Sequence, residues 1–409
     1  MPPQQMSGRG KAFRRGARYG SRLKKAIHSN LTNFWSACSA VGLDPFDVIQ
    51  EARYLAQDYS DGLIEEIRGI ARGSNLEPAE ILAFNLCYGT VFTDECTVMF
   101  ALGDATSSGK TLFMKNSDKI GADSMVGPGF YQHKEINVLL AVRSDDGPAI
   151  VGISAAGSTG LKMGVNSLGV AVGANIARTV ELAERQVDTT QMRALDRIQL
   201  AREGLQKENA LEAANYAAAR IAENPMATPG NIEFVDSNTG VIVEGSYDRL
   251  ALQIVRSGVA SRVNSFVVLK DLNNPNDVSS YCRYTRTQQL LKEHLGSLTP
   301  TLMKQFSQDH THGPGPNSIC RHGSHHVEET SQSSMVVEID GANPDATRFW
   351  VALGKPCHAW RHSDAFIETT VGQLDEIPEG MIKGEVWKRF WKEEPYTGTG
   401  EREIPQAQE

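Results

Sequence analysis

Cys96-Thr97-Val98-Met99-Phe100-Ala101-Leu102, the turn Ser107-Ser108-Gly109-Lys110, then Thr111-Leu112-Phe113-Met114 and the polar Asn116-Ser117-Asp118 decide how this chain is read. The first run is continuously apolar and partly β-branched, the pattern of a buried strand. A Gly-containing turn between two such runs predicts a hairpin. In an antiparallel ribbon the polar end of the second strand returns beside the start of the first. The hairpin therefore sets Asn116–Asp118 next to Cys96. The polar Thr93-Asp94-Glu95 precedes it, at the junction between a helical block and the strand. By residue type alone, a cysteine in an apolar run is a buried structural thiol. Its place at a junction, facing polar residues, also makes Cys96 a candidate nucleophile.

Upstream, residues 23–71 carry apolar side chains at helical spacing, and Asp44-Pro45 has the chemistry of a helix start. Asn75-Leu76-Glu77-Pro78 predicts a second start, leading into Ile81–Leu86 and ending near Gly89. Downstream, strands are predicted at 136–142, 149–154, 161–165 and 169–174. Helices follow over 190–223 with a break near Gly204, then strands at 232–235, 241–244, 250–255 and 265–269. Helices at 281–295 and 301–307, a loop rich in Gly, Pro and His over 309–324, and a strand pair at 335–339 and 349–353 complete the pattern. The tail from Glu393 is polar and reads as loose. Hairpins and helices in separate blocks imply α+β layers rather than alternating βαβ units, and length alone fits one large core or two ordinary domains. No internal repeat, phosphate-binding Gly-rich loop or zinc-finger spacing occurs.

The chain has 409 residues and a formal net charge of −8, so nothing general draws it to nucleic acid or an anionic membrane. No apolar run approaches the roughly 20 residues of a membrane-spanning helix. The six cysteines (Cys38, Cys87, Cys96, Cys282, Cys320, Cys357) are scattered without a CxxC pair, which suits a reducing compartment and a cytoplasmic location. Residues 9–25 are basic and lack acids, with no apolar stretch after them. They read as a frayed basic tail leading into a solvated helix rather than a secretory signal, and serine is too sparse for a convincing transit peptide.

On Glu95-Cys96-Thr97, the hairpin and Asn116-Ser117-Asp118, the chain resembles the isopenicillin N acyltransferase family of cysteine N-terminal-nucleophile hydrolases. That family reads Gly-Cys-Thr, a Gly-Lys-Thr-like turn, then Asn-Trp-Asp. Gly164-Val165-Asn166-Ser167-Leu168-Gly169 is similar to its Gly-Met-Asn-Glu-x-Gly hairpin, and Val263-Asn264-Ser265-Phe266 to its Thr-Asn-His-Phe. Asp309-His310 with Ser318-Ile319-Cys320-Arg321-His322 is similar to its Asp-His … Ser-Ile-Cys-Arg-His loop, and Arg348 to Gly354 to its final strand. The departures are Glu95 where Gly is common, Ser117 for Trp and Ser265 for His.

The resemblance implies a four-layer αββα sandwich in which self-cleavage at Glu95–Cys96 separates residues 1–95, a helical α-chain, from residues 96–409, the β-chain carrying the nucleophile. The α-chain would stay bound as a partner. A free thiol has a pKa near 8.5, and an α-amine near 7.7–8.0 suits a base at neutral pH. The new α-amine of Cys96 would thus activate its own thiol. Asp118 would hold that amine, Asn264 would donate to the oxyanion, and Asn116 and Ser334 would serve the substrate or the amine. From residue type alone, Asp118 could equally cap a turn and Asn264 could form a bulge. The expected substrate is a small acyl-amide or an acyl thioester, with an acyl-Cys96 intermediate passed to water or an amine. No cofactor is expected, coenzyme A thioester entering only as a substrate. No nucleic acid or membrane partner is expected. His310, His312, His322, His325 and His326 raise the idea of zinc, but no Cys or carboxylate spacing completes a recognised site, so no metal is expected. Glu95 and Ser265 sustain an alternative: an uncleaved, non-enzymatic relative that binds an acyl-amide ligand or a protein partner.

Overall fold

The computed structural model describes residues 3–92, 95–119, 135–143, 147–184, 194–313, 315–322, 330–362, 366–377 and 381–382. The chain opens with helices α1 (Pro3–Ala40), α2 (Pro45–Leu55), α3 (Asp61–Ser74), α4 (Pro78–Leu86) and α5 (Tyr88–Val91). Strands β1 (Glu95–Leu102), β2 (Thr111–Lys119), β3 (Asn137–Val142), β4 (Ile150–Ala155), β5 (Met163–Asn166) and β6 (Ala171–Ile176) follow. After α6 (Val180–Glu184), α7 (Arg197–Gly204) and α8 (Ala210–Glu223) come β7 (Gly230–Val235), β8 (Gly240–Gly245), β9 (Leu250–Val255) and β10 (Gly258–Arg262). Then come α9 (Val278–Glu293), α10 (Pro300–Ser307), β11 (Thr330–Ile339), β12 (Arg348–Ala352), α11 (Pro356–Ala359), β13 (Phe366–Thr370) and β14 (Met381–Ile382).

Among the described residues the strands form two antiparallel sheets, one in the order β10-β1-β2-β11-β12-β13 and one in the order β14-β3-β4-β5-β6-β7-β8-β9. Strand side chains alternate between faces, and here the inner strands of both sheets are buried on both faces. Val98, Phe100 and Phe113 meet Val151, Val165 and Ile242 between the sheets. Met99, Ala101, Leu112 and Met114 point the other way, against Leu291, Met303 and Phe306 of α9 and α10. The outer face of the larger sheet packs Val172, Ile232 and Val243 against Ile27, Ile67, Phe84 and Ile198. The result is helices, sheet, sheet, helices: the αββα sandwich that the resemblance implied. This double burial explains why β1 and β2 read as continuous apolar runs.

Local chemistry sets the helix starts. Asp44 caps α2 by accepting from the Phe46 N–H at 2.7 Å, with Pro45 in the first turn. The buried Ile81, Phe84 and Leu86 of α4 fix the N-terminal helices to the larger sheet.

Two expectations are corrected. Residues 265–269 are not a strand: the N–H groups of Val267, Val268 and Leu269 all donate to the Glu244 carboxylate at 2.9 Å, which curls the segment. The ladder place beside β1 belongs to β10 instead. The basic N-terminal segment is not a solvated tail, since Ala12, Tyr19 and Leu23 are buried and Arg15 pairs with Glu66 at 2.7 Å. Helix α1 lies so close to α3 that a Cβ on Gly16 would stand 2.1 Å from the Glu66 carbonyl oxygen. The strands β13 and β14, which extend the two sheets, escaped the sequence reading. Thr93, Asp94 and the tail from Glu393 lie outside the described residues.

Candidate active site

Cys96 is the second residue of β1 and shares the parity of Val98 and Phe100, so its side chain points between the sheets. It is fully buried, and its thiol donates to the Ala174 carbonyl of β6 at 3.7 Å. The same carbonyl accepts from Lys115 Nζ at 2.6 Å, and Lys115 also reaches the Lys162 carbonyl at 2.5 Å. The sequence reading passed over Lys115, which follows the apolar Leu112-Phe113-Met114 at the start of the polar half of β2.

Two side chains hold the Cys96 backbone. Its N–H donates to Asn264 Oδ1 at 3.2 Å, and its carbonyl accepts from Arg283 Nη1 at 2.8 Å. Arg283 Nη1 also reaches Thr97 Oγ1 at 3.2 Å, and Nη2 donates to Asn264 Oδ1 at 2.7 Å. A guanidinium can only donate, so the Asn264 amide is fixed with its oxygen toward Cys96 and Arg283. Its Nδ2 donates to the Ile176 carbonyl at 3.0 Å. Asn264 follows β10 directly, where the chain leaves the edge strand beside β1. Arg283 comes from the buried face of α9. Burial, then repulsion from Arg321, pull its pKa down to about 10 against the opposing pull of Glu95, Asp118 and Asp277. The sequence reading missed Arg283, whose role depends on how α9 docks.

On the other side of the Glu95–Cys96 bond the charges are denser. The β1–β2 ladder pairs Glu95 with Asp118, Cys96 with Ser117 and Thr97 with Asn116. The Glu95 carboxylate is clamped by Arg178 and by Arg321 Nη1, the latter at 2.5 Å. Burial works to raise the Glu95 pKa, yet Arg178, Arg321 and Arg283 together hold it at about 2. Asp118 accepts from Ser331 Oγ at 2.6 Å and lies 3.6 Å from Arg321 Nη1. Burial raises the Asp118 pKa despite Arg321, Arg283 and the Ser331 bond, and Glu95 pushes it the same way. Two ladder-paired carboxylates are thus driven apart, one held ionised and one pushed toward its protonated form.

The remaining predicted residues fall elsewhere. Asn116 faces the helices and donates through Nδ2 to the carbonyls of Ser307 at 2.8 Å and Ile319 at 3.0 Å. Ser334 is its ladder partner across β2 and β11. A register shift between Ser331 and Ser333 sets Ser331 opposite Asp118 and Ser333 opposite Ser117. Cys96, Ser117 and Ser333 therefore form a row across three strands. The hydroxyls of Ser117 and Ser333 are buried without a hydrogen-bond partner among the described residues.

Beyond Arg321, His310, Cys320, His322 and Cys357 bring one donor atom each within 4.8 Å of one another. His312 is exposed, and His325 and His326 lie outside the described residues. No helix among the described residues is long and apolar enough to cross a membrane.

No family model and no curated protein matches the chain. Among solved structures, it is similar to a Caenorhabditis elegans N-acylethanolamine-hydrolyzing acid amidase ortholog, at 14% identity, covering 62% of this chain and 98% of that one, with a TM-score of 0.39. It is also similar to a mutant of the conjugated bile acid hydrolase from Clostridium perfringens, at 11% identity, 70% and 96% coverage and a TM-score of 0.42. A second variant of that hydrolase gives 11% identity, 70% and 97% coverage and a TM-score of 0.41. Similarity this distant assigns no activity.

Proposed function

We propose that the chain is a cysteine N-terminal-nucleophile enzyme that cuts its own Glu95–Cys96 bond and then moves an acyl group through a Cys96 thioester. The observation that carries this reading is the treatment of one peptide junction. Asn264 and Arg283 hold the N–H and the carbonyl of Cys96, while Arg178 and Arg321 hold the side chain of Glu95. Residues on both sides of the bond are immobilised, which is what positioning a thiol for attack on the preceding carbonyl requires.

In maturation, Cys96 Sγ adds to the Glu95 carbonyl carbon, the carbon–nitrogen bond breaks, and the nitrogen takes up the thiol proton to become the new α-amine. Water then hydrolyses the thioester, leaving a Glu95 carboxylate and a free thiol. In turnover, the α-amine accepts the thiol proton and the thiolate adds to the substrate carbonyl. The amine or thiol leaving group departs with a proton, and water or an acceptor amine resolves the acyl-Cys96 thioester. Asn264 Oδ1 already faces the nitrogen that becomes the amine, and its Nδ2 carries a second hydrogen for the oxyanion. Asp118, the ladder partner of Glu95, is the carboxylate that the amine would meet once Glu95 is released. The row of Ser117 and Ser333 hydroxyls offers polar contacts for the acyl-amide beside the thiol.

The complete burial of Glu95 and Cys96 favours a second reading, an uncleaved protein that binds an acyl-amide without turning it over. One experiment separates the two. The purified protein is incubated with a panel of acyl-amides and acyl-coenzyme A thioesters, quenched in acid, digested and analysed by mass spectrometry. An acyl adduct on the peptide bearing Cys96, absent in Cys96→Ala, supports the enzyme. Absence of any adduct, with compounds still binding at equilibrium, supports the binder.

A further inference from the structure

The geometry points to a Cys2His2 zinc centre made by His310, Cys320, His322 and Cys357, separate from the Cys96 chemistry. Its four donor atoms lie within 4.8 Å of one another, with Cys320 Sγ 3.6 Å from His322 Nε2 and His322 Nε2 3.1 Å from Cys357 Sγ. In tetrahedral zinc sites Zn–S is about 2.3 Å and Zn–N about 2.0–2.1 Å, which makes the edges between ligands roughly 3.3–3.8 Å. The two measured edges fall near that range, and the widest pair need close by only about 1–1.5 Å. His310 Nε2 is buried with no hydrogen-bond partner among the described residues, as a waiting ligand atom would be.

Charge and ligand chemistry select the ion. Two thiolates neutralise one divalent cation, so the loaded site needs no counter-ion although both cysteines are buried. Two soft sulfurs with two imidazoles suit zinc over magnesium or calcium, which prefer oxygen. Four protein ligands leave no open position, which makes the site structural. Three ligands come from the segment between α10 and β11, and the fourth from the first turn of α11. The ion would staple that segment to α11. Sequence spacing could not reveal this, because Cys357 is far along the chain from the histidines. The expectation of no metal, drawn from spacing and from the resemblance, is set aside here.

The staple has a consequence for the neighbouring site. Arg321 stands between the ligands Cys320 and His322, and its guanidinium pairs with Glu95 and Asp118. Zinc would fix the backbone on both sides of Arg321. Binding of the ion does not depend on Cys96 being a nucleophile, so it can succeed or fail independently of the proposed enzyme.

The test uses full-length, untagged protein purified under reducing, chelator-free conditions. Elemental analysis is expected to find about one zinc per chain. After chelation, titration with Co2+ should produce thiolate-to-cobalt charge-transfer and tetrahedral ligand-field bands, displaced by Zn2+. Cys357→Ser and His322→Ala should each retain less than about a tenth of the metal, while Cys282→Ser keeps it. Cobalt spectra of the wild type decide the matter if the ligand variants fail to fold. The proposal is overturned if folded, fully reduced protein takes up neither metal. It is also overturned if Cys320 and Cys357 are recovered as a disulfide from protein purified in reductant, or if the ligand variants keep stoichiometric zinc.

Discussion

Arg321 bridges Glu95 and Asp118: its Nη1 lies 2.5 Å from one carboxylate and 3.6 Å from the other, and none of the three side chains is exposed. The two acids face each other across the β1–β2 ladder, so the Arg321 guanidinium sits between two buried acids beside the Glu95–Cys96 bond, with Arg178 on Glu95 as well. Removing one member of a buried ion pair strands its partner, at a cost of about 3–5 kcal/mol. Arg321→Met should lower unfolding stability by that order in urea titrations. Arg178→Met should cost less, because Arg178 is partly exposed and its water replaces part of the interaction. Equal losses would mean that Arg321 is not the main compensating charge.

The same network sets an acid limb. Glu95 drops from an ordinary carboxyl value to about 2 in the fold. A group depressed in this way contributes stability that is fully present above its unfolded value and lost as pH falls through the folded one. The window runs from about pH 4.5 to 2, and the loss is on the order of 3 kcal/mol. Asp118, whose folded pKa is raised, works in the opposite sense: its contribution is present below its unfolded value and fades as pH rises through the folded one. Glu95→Gln should therefore flatten the stability-versus-pH profile at the acid end, even if the variant is less stable at neutral pH. An unchanged acid slope in that variant would assign the limb to other carboxylates.

Asn264 touches the nitrogen of Cys96 and accepts from Arg283. Asn264→Ala should slow acyl transfer by about 100-fold or more, the usual cost of losing an oxyanion donor. It should also slow self-cleavage, because the same side chain holds the junction. Single-turnover rates with near-native thermal unfolding would isolate the chemical effect. Activity near wild type would reduce Asn264 to a structural link between β10 and Ile176.

Nucleophile and amine partner are separable. Cys96→Ser should depress turnover steeply, since a hydroxyl is scarcely ionised near neutral pH. Asp118→Asn keeps the Ser331 contact but loses the charge, so the thiol should remain open to iodoacetamide while turnover falls. Labelling followed by peptide mapping reads both. An unreactive Cys96 in the folded wild type, together with full activity in Asp118→Asn, would leave Cys96 an ordinary buried thiol.

The contact of α1 with α3 supplies a test of the fold alone. Gly16→Ala would drive a methyl group onto the Glu66 carbonyl oxygen, 2.1 Å from the ideal Cβ position, where backbone cannot yield cheaply. The helices must separate, and a loss of about 1–3 kcal/mol is expected from overpacking. Circular dichroism melting checks this against Gly42→Ala, where open space surrounds the site but the positive φ adds local strain only.

The hairpin was legible because β1 and β2 are buried on both faces, which leaves an uninterrupted apolar signal. The segment 265–269 misled for the same reason: Phe266-Val267-Val268-Leu269 has a strand's composition, but its N–H groups serve Glu244, a partner visible only in three dimensions. The basic N-terminal segment misled because its arginines dominate the composition. The small residues Gly16 and Gly20, four apart on one helix face, were the overlooked sign of close packing. Cys96 was a candidate from its place at the strand junction beside the polar end of the hairpin, the roles of Asp118 and Asn264 came from the resemblance, and the structure groups Cys96 with Asn264 and Asp118 with Glu95. Arg283, Lys115 and the Cys320–Cys357 pairing depend on how separate elements dock, which no local spacing encodes.

Self-cleavage is the claim on which the rest depends. Freshly purified wild-type protein and Cys96→Ala should be compared by intact mass and by N-terminal sequencing over a time course at neutral pH. Wild type is expected to yield a fragment beginning at Cys96, still associated with the 1–95 helical chain, while Cys96→Ala stays whole. Wild-type protein that remains a single intact chain throughout, as Cys96→Ala does, would contradict the account.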